Sequence, residues 1–168
     1  MNVFHATNIE FDDFKNKFMD SNNTCQQLGH GFYFSDDIEG ARQYGDVILE
    51  CQIPNLDHGY FERFEEEASP RGLIEKLIRY APDLNNTLTN WGDVKFQSKE
   101  QPIQQAIEGY VGMNHYQLCN VLSNDFYRDN PLEFNQRISE YTGYVGLNDC
   151  HNYCVFDAKN IKIVVRLE

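Results

Sequence analysis

The sequence predicts a single α+β domain in which strands at both ends of the chain enclose a helical segment. Strand-like runs rich in apolar and aromatic residues occur at 2–6, 31–35 and 47–53, and again between 143 and 167. Between them, apolar residues recur at helical spacing from about 60 to 140. The chain contains no repeat, linker or low-complexity stretch. We therefore treat residues 1–168 as one domain with a helical insert.

The first strand, at 2–6, is followed by a predicted helix and a loop. The helix, over 10–19, is indicated by phenylalanines at helical spacing: Phe11, Phe14 and Phe18. Residues 20–30 are polar and rich in turn-forming residues, which predicts a loop. A second strand, dense in aromatic residues, covers 31–35.

A short helix and a third strand come next. Asp36 followed by Glu39 is typical of a helix N-cap. The helix would place three apolar side chains on one face: Ile38, Ala41 and Tyr44. The alternating residues at 47–53, ahead of Pro54, predict a half-buried strand.

The middle of the chain is predicted to be mostly helical. The acidic segment 61–68 is expected to form a helix, and a second helix after Pro70 buries Leu73, Ile74, Leu77 and Ile78. Residues 81–99 are expected to form a polar loop. Apolar spacing indicates further helices within 103–122 and 134–141. The chain then ends on three predicted strands, at 143–147, 153–156 and 161–167.

Composition argues against several function classes. The net charge is −12, so we expect no broad nucleic-acid-binding surface, and the charge favours docking on a basic partner. No run approaches the length of a membrane span, and the N-terminal residues lack the apolar core of a secretory signal. We therefore expect a cytoplasmic protein that does not bind membranes. Five cysteines, an odd number, indicate free thiols, and no metal site is expected.

Two short motifs contain the candidate functional residues. The first, Val3-Phe4-His5-Ala6-Thr7, places a histidine in an apolar strand, where a lone histidine is usually a core or turn residue. The second runs Gly29-His30-Gly31-Phe32-Tyr33-Phe34-Ser35 and is followed by Ala41-Arg42-Gln43-Tyr44. Three consecutive aromatic residues are usually strand core. Alternation places Tyr33 opposite Phe32 and Phe34, however, so Tyr33 faces a cleft if the phenylalanines face the core. Gly29 and Gly31 would allow a ligand to approach the backbone.

Together these motifs resemble the NAD-binding half of ADP-ribosyltransferases of the diphtheria-toxin and poly(ADP-ribose) polymerase type. The resemblance implies a split β-sheet core with NAD in the cleft between two small sheets. It implies that His5 binds the adenosine ribose, that the backbone at Ala6 holds the nicotinamide amide, and that Thr7 orients the histidine. Gly31 belongs to the NAD-binding strand. Tyr33 would meet the edge of the nicotinamide ring, and Tyr44, eleven residues later, would stack on its face.

The resemblance breaks at the family's catalytic glutamate. Family members begin a late strand with Glu-Tyr-apolar-apolar-aromatic, and this chain has Asn152-Tyr153-Cys154-Val155-Phe156. Asparagine can bond a ribose hydroxyl but supplies no charge to an oxocarbenium-like transition state and no general base. Asp149 would be the substitute carboxylate if a tight turn brings it to the same rim; its alternative role is to form that turn. Asp157 is a weaker candidate because alternation places it on the face opposite Asn152.

The resemblance implies a mono-ADP-ribosyltransferase that moves ADP-ribose from its co-substrate NAD to a macromolecule. His5, Tyr33 and either Asp149 or Asn152 would be catalytic. Small members include phage anti-CRISPR enzymes that modify a CRISPR effector subunit, and bacterial toxins or effectors, so a basic or nucleic-acid-binding protein is the expected acceptor. The missing glutamate supports an alternative, a catalytically inactive NAD-binding or protein-binding inhibitor module of the same fold. The acidic segment 62–67 is either a solvated surface or a docking face for that partner.

Overall fold

A computed structural model describes residues 2–19, 28–54, 56, 60–62, 67–82, 84–90, 98 and 100–167 of the chain. Within these ranges seven strands form one sheet: β1 (Asn2–Thr7), β2 (Phe32–Ser35), β3 (Val47–Gln52), β4 (Tyr60–Glu62), β5 (Gly146–Asp149), β6 (Asn152–Val155) and β7 (Lys162–Leu167). Their order across the sheet is β4-β5-β6-β2-β1-β3-β7. In this order, every neighbouring pair of strands from β5 across to β7 is antiparallel. Strand β4 pairs parallel to β5 at the edge.

The helices lie almost entirely in the insert between the N-terminal and C-terminal strands. The α-helices are α1 (Ile38–Arg42), α2 (Arg71–Arg79), α3 (Leu84–Asn90), α4 (Glu100–Tyr110), α5 (His115–Gln117), α6 (Ser123–Phe126) and α7 (Pro131–Thr142). A π-helical turn, Leu118–Leu122, joins α5 to α6, and 3-10 turns occur at Asn16–Phe18 and Ala158–Asn160. Within the described ranges, no helix is both long enough and apolar enough to cross a membrane.

The sheet is weakly joined at its centre, between β1 and β2. These strands share a single registered pair, Phe4 with Ser35, whereas β1 and β3 share six and β2 and β6 share four. The sheet therefore consists of two well-paired halves, β4-β5-β6-β2 and β1-β3-β7, that share one registered residue pair.

Each face of the sheet has its own apolar core. The larger core packs the insert helices, including Ile74, Leu77 and Ile107, against Leu147 and Cys154 of the sheet. The second core lies on the opposite face and joins Val3, Phe32, Phe34 and Leu49 to Phe14, which comes from the segment after β1. Because side chains on both faces of the sheet are buried, the strands are nearly continuous apolar runs in the sequence.

Both edges of the sheet are protected against pairing with another chain. In the part of the chain that the structure describes, the β4 edge is three residues long. At the other edge, Val164 is an extra residue in β7, because Glu50 pairs with Val165 and Cys51 pairs with Ile163. Such a bulge, together with Lys162 and Arg166 on the same strand, disfavours edge-to-edge association.

Most predicted elements are confirmed, but five predictions are wrong in whole or in part. Residues 10–19 form an irregular segment with a bend at 12–13 and one 3-10 turn instead of a helix, and Phe18 is exposed. Tyr60–Glu62 is a strand, not the start of an acidic helix, and the predicted loop at 81–99 contains α3. The N-cap of α1 is Asp37, not Asp36, because its carboxylate accepts from the backbone of Glu39 and Gly40.

The fifth correction concerns the strand predicted at 143–147. Gly143 has a φ of 80° and ends α7 in the left-handed conformation that glycine favours, so β5 begins only at Gly146. Residues 20–27 of the predicted loop lie outside the described residues. So do Glu65 and Glu66 of the acidic segment.

Candidate functional site

A cavity of about 580 Å³ lies where β1 separates from β2. Consecutive residues of both strands, 4–7 of β1 and 32–35 of β2, line it. Its lining includes Leu28 and Tyr33, which pack in or against the larger core, and Phe14 of the second core, so residues from both faces of the sheet border it. The weak junction between the two halves of the sheet is therefore also the position of the cavity.

All eight residues that the sequence and its family resemblance predict as site residues line this cavity. They come from β1, from β2 and the residue before it, from the turn after α1, and from the hairpin between β5 and β6: His5, Ala6, Thr7, Gly31, Tyr33, Tyr44, Asp149 and Asn152. These residues span nearly the whole sequence, so the fold brings together positions that no local pattern connects.

His5 is held by a hydrogen bond between its Nδ1 and the backbone carbonyl of Tyr33, at 2.8 Å. A carbonyl oxygen can only accept, so Nδ1 carries the proton and Nε2 of the neutral ring is an acceptor. Burial lowers the pKa of His5, and the bond to the Tyr33 carbonyl opposes this effect only in part. At neutral pH the ring thus offers an acceptor nitrogen to a ligand hydroxyl.

Aromatic rings enclose His5 on the face of the second core. The ring centroids of Phe14, Phe34 and Phe11 lie 5.0, 5.5 and 6.1 Å from that of His5. Phe11 and Phe14 belong to residues 8–18, which we call the strap because they run across this face of the sheet. Long-range contacts fix the strap: Arg166 donates to the Phe11 carbonyl, and Asn16 donates to Asp157 at 3.0 Å.

Tyr33 extends its side chain to the face opposite His5, and its ring packs against the larger core. Its hydroxyl donates to the Gly29 carbonyl at 2.6 Å and accepts from the Leu28 backbone at 3.2 Å. The hydroxyl is thus engaged by the Gly29-x-Gly31 loop. Tyr33 can therefore contribute its ring to a ligand, while its hydroxyl holds the loop in place.

Tyr44 lies on the turn after α1, with 53% of its surface exposed at the mouth of the cavity. Its backbone amide bonds to the Ala41 carbonyl. The helix before it is fixed at its start by the Asp37 cap. An exposed ring on a short, well-anchored turn is free to stack on a planar ligand.

Asp149 and Asn152 face each other across the hairpin between β5 and β6. Directly opposed residues have Cβ atoms about 5 Å apart, so the carboxylate and the amide share the same rim of the cavity. The two-residue turn between them contains Cys150, which has a φ of 53°. His151 secures the turn, because its Nδ1 lies 3.0 Å from an Asp36 carboxylate oxygen.

Asp157 does not reach the cavity. It is buried after β6, where its carboxylate accepts from Asn16 and from the Lys159 backbone and pairs with the Lys159 ammonium. These bonds hold the pKa of Asp157 below its usual value, although burial by itself would raise it. Asp157 therefore anchors the strap.

The glycines of the second motif are explained by packing within the protein. A Cβ at Gly31 would contact the Cys154 sulfur and would lie 2.6 Å from the Val155 carbonyl oxygen. Gly29 has a φ of 82°, and a Cβ there would lie 3.0 Å from the Cys119 carbonyl oxygen. Asn135 of α7 fixes the same loop by donating to the His30 carbonyl at 2.9 Å.

Several residues at the site were missed by sequence reasoning. Gly45 packs directly on the backbone of Thr7, since a Cβ there would lie 2.6 Å from the Thr7 carbonyl oxygen. The strap adds charged residues to the cavity lining: Glu10, Asp12, Asp13 and Lys15. The Thr7 hydroxyl accepts from the Ile9 backbone at 3.1 Å, so it fixes the start of the strap. No local periodicity marks these residues.

Comparison with known proteins gives one structural likeness. A solved structure described as the crystal structure of an anti-CRISPR protein matches this chain with a TM-score of 0.42 and 11% identity. The match covers 99% of this chain and 95% of the other. No protein-family model matches the sequence, and no curated protein matches it either. Within the described ranges, no group of three or more His, Cys, Asp or Glu side chains is placed to hold a metal ion.

Proposed function

We propose that this protein is a mono-ADP-ribosyltransferase that transfers ADP-ribose from NAD to a macromolecular acceptor. One observation carries the proposal: the eight residues implied by the family resemblance line a single cavity. The weak junction between the two halves of the sheet, at this same place, supports a split-sheet core. The cavity volume of about 580 Å³ is within the usual range for small-molecule sites.

The reaction breaks the bond between the nicotinamide nitrogen and C1′ of the ribose. The bonding electron pair leaves with nicotinamide, which becomes neutral, and positive charge develops on the ribose. A lone pair of the acceptor then forms the new bond to C1′, and the acceptor's proton passes to solvent water. A negative charge near the ribose stabilises the transition state, and a preorganised contact of this kind is worth about 10²–10³ in rate.

Three groups of residues divide this work in our proposal. His5 accepts a hydrogen bond from a ribose hydroxyl through Nε2, whose lone pair the bond to Tyr33 leaves available. Tyr33 and Tyr44 contact the nicotinamide ring, which is flat and cationic before cleavage. Asp149 supplies the negative charge, and Asn152, directly opposite in the hairpin, orients the ribose hydroxyl.

The proposal is tested with the purified protein and NAD. Calorimetric titration should show binding, and NAD at 100 times its dissociation constant should stabilise the fold by about 2.7 kcal/mol. Chromatography should detect nicotinamide released over time. A host lysate incubated with labelled NAD, followed by mass spectrometry, would identify the acceptor. Folded protein that binds no NAD would refute the proposal.

A second candidate is an NAD-binding module without catalytic activity. It is favoured by Asn152, an exposed neutral residue at the position where the family has its glutamate. This candidate predicts NAD binding with no nicotinamide release, even after long incubation. A purely protein-binding inhibitor, in contrast, would show no NAD binding at all.

We place the acceptor among basic or nucleic-acid-binding proteins, of which a CRISPR effector subunit is one example. The support is the net charge of −12, because complementary fields accelerate association and like charges oppose it. An added ADP-ribose would bring two phosphates to such a surface and repel nucleic acid.

A further inference from the structure

We propose that Lys15 of the strap binds the diphosphate of the dinucleotide and determines whether the cavity accepts it. This inference rests on the proposed function, because it identifies the residue that makes an acidic cavity compatible with NAD. The chemistry recognised is a diphosphate ester, which carries two negative charges.

The first argument is the charge of the cavity lining. Four carboxylates line the cavity, Glu10, Asp12, Asp13 and Asp149, and in the described residues Lys15 is the only lysine or arginine among the lining side chains. Carboxylates attract the cationic nicotinamide ring but repel a diphosphate. A dinucleotide with both groups therefore needs a cation at one end of the site.

The second argument is that Lys15 is available for a ligand. Arg166 engages two of the strap carboxylates, lying 2.9 Å from Glu10 and 3.8 Å from Asp12. Lys15 is exposed, and within the described ranges its ammonium forms no ion pair. Its neighbour Phe14 packs 5.0 Å from His5, so the backbone at Lys15 is anchored beside the cavity.

The strap also provides a matched control. Lys17 is two residues away and equally cationic, but its ammonium lies over the Phe18 ring and its side chain lines a different groove, together with residues of α7. Both lysines are exposed, so replacing either leaves the buried packing intact.

The experiment measures NAD affinity by calorimetry for the parent, Lys15→Met, Lys15→Arg and Lys17→Met over a series of KCl concentrations. We expect Lys15→Met to weaken NAD binding by about tenfold and to flatten its salt dependence, because a hydrogen bond to a charged group is lost. Lys15→Arg and Lys17→Met should bind like the parent. Asp13→Asn should bind NAD about twofold more tightly, since it removes a repulsive charge.

The outcomes separate this inference from the proposed function. A parent protein that binds no NAD refutes both. If the parent binds NAD and Lys15→Met binds it within twofold of Lys17→Met, only the role of Lys15 is wrong. Thermal unfolding of each variant shows whether it is folded. If the midpoint of unfolding is unchanged, any loss of NAD affinity is due to the missing charge.

Discussion

The His5 imidazole donates its Nδ1 proton to the Tyr33 carbonyl, and this bond joins the two halves of the sheet where their ladder has only one pair. A side chain here does the work that backbone bonds do elsewhere in the sheet. The same bond leaves Nε2 as an acceptor at the cavity. His5 thus links the stability of the junction to the chemistry of the site.

Two substitutions should separate these roles. His5→Asn retains an amide N–H near the position of Nδ1, so it should fold but bind NAD at least tenfold more weakly, because it lacks the Nε2 acceptor. His5→Leu also loses the N–H donor to the Tyr33 carbonyl. The loss of this hydrogen bond should lower the free energy of unfolding by about 1–3 kcal/mol. Urea unfolding and calorimetric titration measure the two effects. Equal stability of the two variants would show that the bond contributes little to the junction.

The stability of the protein should fall in acid because of His5. Burial lowers the pKa of His5 from 6.5, so the unfolded chain binds a proton at a pH where the native state does not. The contribution is fully present above pH 6.5 and is lost as the pH falls from there towards the native pKa. Unfolding free energies between pH 7.5 and 5 should decline more steeply in the parent than in His5→Asn.

His115 must be considered in the same experiment. Burial also lowers its pKa, while Glu67 opposes the shift. Both proteins contain His115, so the difference between their pH profiles isolates His5. Identical slopes in the parent and His5→Asn would mean that His5 does not contribute to the acid sensitivity.

The proposed role of Asp149 as the substitute carboxylate is tested at the hairpin. Asp149→Asn should reduce nicotinamide release about 10²-fold or more with little change in NAD affinity, because the charge acts in the transition state. Asn152→Glu should raise release, since it places a carboxylate at an exposed position where the resembling transferases have a glutamate. If Asp149→Asn stays active and Asn152→Ala is inactive, the asparagine is the catalytic ligand and Asp149 serves the turn.

Gly31 gives a stability prediction with an internal control. Gly31→Ala should lower the free energy of unfolding by about 1–3 kcal/mol, because its Cβ would press on Cys154 and the Val155 carbonyl. Gly109, on α4, has open space around its Cβ position, so Gly109→Ala should raise stability by about 0.5–1 kcal/mol. Chemical denaturation measures both. If Gly31→Ala has the same free energy of unfolding as the parent, β6 can shift away from the added Cβ at little cost.

The elements that sequence periodicity predicted well are those whose apolar face is buried. All four apolar residues identified in α2 are buried, and the strands of both motifs form close to their predicted positions, as β1 and β2. Periodicity reports burial, so it locates such elements without knowledge of their partners.

The helix predicted over 10–19 does not form because distant residues determine the conformation of the strap. Phe11 and Phe14 do pack inward, but Arg166 and Asp157 bind the strap from the far end of the sequence. These contacts favour an irregular backbone over the helix that the spacing of phenylalanines indicates. The hydrogen bond of His5 and the packing of Gly45 on Thr7 are likewise tertiary, so the geometry of the site could not be read from local pattern.

Tyr44 should contribute to NAD binding without contributing to stability. Its ring is half exposed at the cavity mouth and belongs to neither of the two main cores. Tyr44→Ala should weaken NAD binding by about 1–2 kcal/mol, or roughly 5–30-fold, through loss of stacking on the nicotinamide ring. Tyr44→Phe keeps the ring and should bind NAD like the parent.

Tyr80→Ala is the control, because Tyr80 is similarly exposed, at 62%, but lies outside the cavity lining. Titration calorimetry of the three variants measures their NAD affinity, and thermal unfolding measures their stability. If Tyr44→Ala binds NAD as tightly as Tyr80→Ala does, the nicotinamide ring does not stack on Tyr44.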